Sequence, residues 1–320
     1  MIRITNDEIV FLSFSGIIYR VKRDDIVNRK CMFIYNPNAG KGKVKNSLHT
    51  IIDGFFQNGD LVTCFPTAYK NHACELVKTY GNAYDLLICC GGDGTLNEVI
   101  NGLSSLESPM PLAYIPSGTV NDFANTLKLS ANPKKALETF MLNNSFACDI
   151  CTFNERCFTY VAAFGAFTEV SYRTPQATKN LLGRAAYFLE GLKQLPNIST
   201  YHMRITGADR IIEDDFVFGA ITNARSIAGF QSINTKHAQL DDGEFEVLLV
   251  RMPQNPLDLQ IIIAALLKQE INEKFMEFFT AQSLLIESDP KATWTLDGEE
   301  GGSPELIEIT IKNKAVTFLV

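Results

Sequence analysis

Between Cys31 and Pro116 the chain alternates short apolar runs with stretches whose apolar residues return every three or four positions. "CMFIYNP" from Cys31, "LVTCFPT" from Leu61, "YDLLICC" from Tyr84 and "PLAYIP" from Pro111 read as buried strands. Val44–Gln57, His72–Tyr80 and residues 95–103 read as helices. In the last of these, Leu96, Val99, Ile100 and Leu103 fall at i, i+3, i+4 and i+7, one apolar face. Such alternation predicts a parallel sheet with helices on both faces. Ligands of these sheets bind beyond the carboxyl ends of the strands, an edge occupied here by loops 36–43, 91–95 and 116–122.

After about residue 148 the texture becomes strand-rich. "RCFTYVAAF", "TYHMRIT", "DDFVFGAITN", "EFEVLLVRM", "SLLIES", "TWTLDGE", "IEITIK" and "AVTFLV" are short, β-branched or aromatic, and separated by turn residues. Helical patterns interrupt them at about 181–195 and 257–279. The second half is therefore expected to be a mainly antiparallel sandwich or barrel-like domain. Residues 1–30 fit either an extra hairpin on the first sheet or a mobile extension, and no internal repeat is visible.

A length of 320 residues suits two domains, and 46% hydrophobic with 20% charged residues suits a globular protein. The net charge of −7 argues against a nucleic-acid partner, whose phosphates demand a basic footprint. No segment approaches the ~20 apolar residues of a spanning helix, and residues 261–267 (IIIAALL) are short enough to be buried. The apolar run at 9–19 follows Asp7 and Glu8 and lacks a cleavage pattern. A cytoplasmic location is expected. The eight cysteines agree with a reducing compartment. Cys148 and Cys151 have redox or zinc spacing, but in a strand over 147–153 they point to opposite faces, with no second Cys or His pair nearby.

The chemistry concentrates at Gly91-Gly92-Asp93-Gly94-Thr95, where a strand runs directly into a helix. Glycines let a ligand reach the backbone, and the first N–H groups of the helix offer a phosphate both donors and a positive dipole end. Thr95 is placed to cap the helix or meet a phosphate oxygen. Asp93 would repel a phosphate unless a divalent cation stood between them, which suits Mg²⁺; otherwise it is a cap. The loop "NPNAGKGK" adds Asn36, Asn38 and Gly40 as close-approach positions and Lys41 and Lys43 as charge. It is not a Walker A motif, because Pro37 stands where that motif needs glycine.

Taken together, "NPNAGKGK", "GGDGTLNEVING", "PSGTVNDFA", "LDDG" and "WTLDGEEGG" resemble the bacterial soluble diacylglycerol kinases and, more broadly, the lipid and sphingosine kinase superfamily. The resemblance runs from Cys31 to the C-terminus, about nine-tenths of the chain. The GGDGT element alone is shared with NAD kinases and phosphofructokinases; the five motifs together are specific.

The resemblance implies an α/β fold of two domains with the active site in the cleft between them. Residues 31–147, completed by 315–320, would be a Rossmann-like nucleotide-binding domain, and 148–314 a β-rich lipid-binding domain. ATP would meet Asn36, Pro37, Asn38, Ala39, Gly40, Thr67, Gly92, Asp93, Gly94, Thr95, Leu96, Asn97, Glu98 and Thr119. Asp93, Asp122, Asp241, Asp297 and Glu299 would organise catalytic Mg²⁺ and water, with Glu299 the general base. Asp297 is expected to precede Glu299 in an extended stretch and to share its side. A structural Mg²⁺ at "LDDG" would take the Asp242 carboxylate and the carbonyls of Gln239 and Glu244. Relatives commonly read "PDAKLDDG", so His237 replaces an aspartate here, and Asn125 stands where an arginine is usual.

In isolation, Asp-Asp-Gly at 241–243 and Leu-Asp-Gly-Glu at 296–299 read as hairpin turns. Asp122 alone reads as a helix cap, and Asp149 as a satisfied strand-edge carboxylate. Their joint occurrence with the phosphate loops favours chemistry.

The expected reaction moves the γ-phosphate of ATP to a lipid hydroxyl, with diacylglycerol the first choice and phosphatidic acid the product. A diacylglycerol is met at a membrane. Residues 172–193 place Arg173, Lys179, Arg184 and Lys193 against Glu190 alone, and each basic residue near an anionic bilayer contributes about 1 kcal/mol. Transient peripheral contact is expected, with a homodimer also admissible. The competing readings are another GGDGT kinase such as NAD kinase, opposed by "WTLDGE", and a non-enzymatic lipid binder, opposed by the retained carboxylates.

Overall fold

Strand order places the first sheet's edge loops. The computed structural model describes residues 29–42, 44–118, 121–165, 199–223, 240–268 and 270–320, and the strand backbones 3–6, 9–14 and 17–22. For Lys41, Asp122 and Leu267 only the backbone is described. The chain divides into two compact units, residues 1–146 with 317–320, and residues 147–316.

In the first unit β1 (Arg3–Asn6), β2 (Ile9–Phe14) and β3 (Ile17–Lys22) form an antiparallel three-stranded sheet of their own rather than a hairpin added to the larger one. The main sheet contains β4 (Lys30–Tyr35), β5 (Leu61–Pro66), β6 (Leu86–Gly91) and β7 (Leu112–Pro116), in the order β5-β4-β6-β7. All three pairings are parallel. The end of β18 (Leu306–Leu319) adds a further parallel strand, with Phe318 opposite Leu112.

Helices α1 (Val44–Gln57) and α5 (Pro133–Met141) bury Ile51, Phe55, Leu137 and Phe140 against Phe33, Ile88 and Ile115 on one face. The alternate residues Met32, Ile34, Leu87 and Cys89 are also fully buried, as a doubly covered parallel sheet requires. Helices α2 (His72–Tyr80) and α3 (Asp93–Leu103) pack so closely that a Cβ on Gly102 would fall 2.6 Å from Cβ of Val77. A short helix α4 (Asp122–Thr126) follows β7. At the amino end of the sheet, Arg29 grips the buried Asp60 carboxylate through two bonds of 2.7 and 2.8 Å.

The second unit is antiparallel. It contains β8 (Ser145–Phe153, from Ala147 on), β9 (Arg156–Phe158), β10 (Val161–Gly165), β11 (Tyr201–Thr206), β12 (Ile211–Thr222), β13 (Phe245–Arg251), β14 (Met276–Ala281), β15 (Ser283–Asp289), β16 (Trp294–Leu296) and β17 (Glu299–Gly302). The strand order is β17-β16-β10-β12-β11-β15-β18, with β13 and β14 added beside β12. Trp294 anchors the core, its ring centroid 4.8 Å from Phe164 and 5.2 Å from Phe153. A second core lies under α6 (Pro256–Lys268), which buries Ile262, Ala265 and Leu266 on Leu248 and Val250.

One helical expectation is corrected. The pattern over 257–279 is a helix only to Lys268, and Met276–Ala281 is strand β14 paired with β13. Beyond the helix end, Asn272 turns the chain by accepting the Lys274 N–H at 3.2 Å, and the aromatic run that follows favours a strand. "IEITIK" and "AVTFLV" form one strand, β18, with Lys314 at φ 51. The helix expected near 181–195 lies outside the described residues.

Candidate active site

In the first unit the chain moves outward from β4 to β5, then returns to place β6 on the other side of β4. The carboxyl ends of β4 and β6 therefore flank a topological switch point, where a doubly wound sheet opens a crevice. Both motif loops begin there. Asn36, leaving β4, donates its N–H to the carbonyl of Cys90 at 3.0 Å, which ties the two loops together. The Asn36 side chain accepts the Asn38 N–H at 2.9 Å and reaches Oγ1 of Thr95 at 3.5 Å. Ala39 N–H turns back to the Asn36 carbonyl at 3.1 Å, and Gly40 follows at φ 57.

Gly92 is the N-cap of α3, with Asp93 in its first turn, and as a glycine it has no side chain with which to cap the helix. Thr95 is buried and lies in the helix rather than capping it. Leu96 is buried, Asn97 and Glu98 are half-buried, and Gly94 is exposed. The backbone of Gly92 lies against that of Gly118: a Cβ on Gly92 would stand 3.2 Å from the Gly118 Cα, and one on Gly118 only 2.7 Å from the Gly92 Cα. Two loops thus meet with no side chain between them, leaving backbone at the surface a phosphate would approach. Ser117 joins the edge by donating its N–H to the Gly91 carbonyl at 2.8 Å. Gly118 donates to Oδ1 of Asn121 at 2.8 Å, and Nδ2 of Asn121 donates back to the Gly118 carbonyl at 3.0 Å. A cavity of about 460 Å³ opens beside these loops, lined by Gly40, Ser47, Cys90, Ser117, Gly118 and Asn121 among others. Thr119 lies outside the described residues, and Asp122 is described only as the backbone start of α4.

Thr67 leaves β5 with its N–H on the Tyr35 carbonyl at 2.9 Å, so it flanks the same strand ends. Glu98 is used differently from its neighbours. Its carboxylate accepts the Asn71 N–H at 2.7 Å and the Ala73 N–H at 3.1 Å at the start of α2. The burial of Tyr114, with Cys89 and Asp93 nearby, pushes its phenol well above its ordinary value, and its hydroxyl donates to the Gly91 carbonyl at 3.2 Å.

In the second unit, Asp297 and Gly298 form the two-residue turn of the β16–β17 hairpin, at φ 52 and 83, with Leu296 opposite Glu299. This is a primed turn of the Asp-Gly kind, not the extended stretch expected from the sequence. The Asp297 carboxylate accepts four donors: Thr159 N–H at 2.7 Å, Thr159 hydroxyl at 2.9 Å, Tyr160 N–H at 2.8 Å and Val161 N–H at 2.9 Å. Glu299 is half-buried on β17.

The "LDDG" turn is held by a residue that sequence reasoning left as a strand-edge carboxylate. Asp149 is fully buried, and its two oxygens accept Gly243 N–H and Lys314 N–H, each at 2.6 Å. Its own N–H donates to the Leu240 carbonyl at 2.7 Å. Asp241 is half-buried, and exposed Asp242 accepts the Glu244 N–H at 3.0 Å, an Asx turn. The turn carries the exposed Asp242 carboxylate, an oxygen donor of the kind Mg²⁺ takes; Gln239 and His237 lie outside the described residues. Cys148 and Cys151 are buried free thiols, each pushed above its ordinary value chiefly by burial, which disfavours the thiolate.

A family model, diacylglycerol kinase catalytic domain, matches residues 30–153. The chain is 32% identical over 276 residues to a diacylglycerol kinase of Staphylococcus haemolyticus, covering 86% of this chain and 83% of that protein. It is 29% identical to the diacylglycerol kinase of Bacillus subtilis, covering 86% and 91%. A crystal structure of a diacylglycerol kinase from Bacillus anthracis shares the fold, with a TM-score of 0.69, 23% identity and coverage of 91% and 96%. A second Bacillus anthracis structure gives a TM-score of 0.75 at 26% identity, covering 91% and 95%. The chain belongs to the diacylglycerol kinase family, and it is a phosphotransferase with an alcohol acceptor.

Proposed function

We propose that this member of the family transfers the γ-phosphate of ATP to the free hydroxyl of diacylglycerol, giving phosphatidic acid. The observation that carries the reading is the pair of loops joined by Asn36 and Cys90 at the ends of adjacent strands, where α3 begins at Gly92. The amides at Gly92, Asp93 and Gly94 would bind phosphate oxygens, with Asn36, Pro37, Asn38, Ala39 and Gly40 on the neighbouring strand end and Thr67 beyond it. Phosphoryl transfer needs the reacting groups held in line and the spreading phosphate charge stabilised. Aligned amides at a helix start supply such stabilisation.

Asp93 fits a divalent cation, because a carboxylate in the first turn beside a phosphate site is otherwise repelled by its neighbour. Mg²⁺ held there would neutralise phosphate charge. Asp93, Asp122 and Asp241 would orient the metal and its water. Glu299 would accept the acceptor hydroxyl's proton, and Asp297 would serve by holding the hairpin that carries Glu299. The Asp242 turn would hold a second, structural ion. Arg173, Lys179, Arg184 and Lys193 would make transient contact with an anionic bilayer surface, where the acceptor lies.

Incubating the pure protein with labelled ATP, Mg²⁺ and a lipid panel in mixed micelles tests this directly. Labelled phosphatidic acid from diacylglycerol is the expected product. Label on another lipid with none on diacylglycerol would overturn the acceptor, and no transfer to any lipid would overturn the reaction.

A further inference from the structure

We propose that Glu98 is a positioning residue, whose carboxylate reaches from α3 to the start of α2 and fixes the 67–71 segment beside the nucleotide; this rests on the ATP reading above. Helix α2 begins after Asn71, which sits at φ 70 and makes no side-chain cap. Its leading amides still require acceptors. Glu98 supplies both from a neighbouring helix, Oε1 to the Asn71 N–H at 2.7 Å and Oε2 to the Ala73 N–H at 3.1 Å. A carboxylate at the positive end of a helix is also favoured by the dipole.

The segment held in this way is folded back on itself. Thr67 N–H is bound by the Tyr35 carbonyl at 2.9 Å, and Ala68 N–H by Nδ1 of His72 at 3.1 Å. The rings of Tyr69 and His72 stack with centroids 4.4 Å apart. Glu98 closes the far end. The helix whose first turn would meet the phosphates therefore also fixes the loop that follows β5. One rigid element sets the spacing between both nucleotide segments, and the close α2–α3 contact at Gly102 leaves it little freedom.

Glu98 stands among the residues expected from family resemblance to meet ATP. A carboxylate facing a triphosphate would repel it, whereas these two oxygens face backbone amides. Its effect on the nucleotide passes through the loop.

Amide hydrogen exchange without nucleotide tests the clamp, and steady-state kinetics test its consequence. In the wild type, Asn71 and Ala73 amides should be protected before any ATP is added; rapid exchange at both would overturn the clamp without recourse to a variant. Glu98→Gln puts a donor where an acceptor is needed, so protection should fall and KM for ATP should rise by about tenfold, with kcat falling much less. Lost protection with an unchanged KM, while Thr67→Val raises it, would overturn the positioning role and leave the ATP reading standing. A fall in kcat alone would assign Glu98 to the chemistry instead. If Gly92→Ala and Thr67→Val both leave KM for ATP unchanged, the nucleotide reading itself fails and takes this proposal with it.

Discussion

The carboxylate of Asp297 closes twice on Thr159, accepting its backbone N–H at 2.7 Å and its hydroxyl at 2.9 Å through the same oxygen, Oδ2. Oδ1 takes the next two amides, Tyr160 and Val161. The β16–β17 hairpin is thereby fastened to the turn between β9 and β10. Asp297→Asn would turn one of these oxygens into a donor facing donors. Stability of the second unit should fall by about 2–4 kcal/mol, read by urea unfolding through Trp294, the only tryptophan. Unchanged stability with lost turnover would instead make Asp297 part of the reacting site.

Glu299 lies opposite Leu296 on the fastened hairpin. For the general-base role proposed for it, Glu299→Gln should lower turnover by about 10²–10⁴-fold and leave ATP affinity nearly unchanged. Near-normal turnover under chemistry-limited conditions would remove it from that role.

Gly92 and Gly118 should respond unequally to alanine. The Cβ of Gly92→Ala would meet Gly118 at 3.2 Å, a contact the loops absorb by a small shift, so the fold should survive while ATP binding weakens. In Gly118→Ala the new atom meets Gly92 Cα and Asn121 Oδ1, both at 2.7 Å, and stability should fall as well, by about 1–3 kcal/mol. Calorimetric titration with ATP and thermal melts separate the two; equal melting losses would contradict the packing argument.

Asp149 from β8 and Asp242 within the turn both serve the "LDDG" segment but differ in exposure. Asp149→Ala removes a buried acceptor from two amides and should cost about 3 kcal/mol or more, with or without metal. Asp242→Ala should cost less than about 1 kcal/mol in chelator and should abolish any stabilisation by added Mg²⁺. Melts of both variants with Mg²⁺ and with chelator check this; a wild type indifferent to Mg²⁺ would remove the structural ion.

The cysteines give a test of the second unit's packing as well as the first. Cys64 on edge strand β5 is exposed, whereas the other seven are buried. Burial pushes the Cys31 thiol up to about 12 and the Cys90 thiol to about 11, so both stay as unreactive thiols at pH 8. Limiting iodoacetamide should label Cys64 first in the native protein, although partial desolvation disfavours its thiolate too. Early labelling of Cys148 or Cys151 would show that β8 is open.

Much of the first unit was legible because its signals are local. The apolar run at Leu86, the glycine turn and the helical period after it are properties of adjacent residues, and β6 and α3 fall where they point. The Asp297-Gly298 pair carried a local turn signal as well, but the expectation of an extended stretch there was wrong. The 257–279 pattern misled because a short apolar aromatic run satisfies a helix or a strand, and the choice was made by pairing with β13, the strand on the other side of the helix.

The sequence by itself determined which segments could become strands, helices and glycine turns, since backbone preference and side-chain period are decided within a few residues. It also carried the family, because the motifs are contiguous. Only the tertiary structure decided that β4 lies between β5 and β6, which puts the Asn36 and Gly92 loops on one crevice. It alone gave the acids their partners: Glu98 with Asn71 and Ala73, Asp149 with Gly243 and Lys314, Asp297 with Thr159 to Val161. A carboxylate looks the same in a sequence whether it faces a metal or two amides. What it faces depends on chain brought from 25 to 165 residues away, and the folded backbone settles that by requiring each buried amide to find an acceptor.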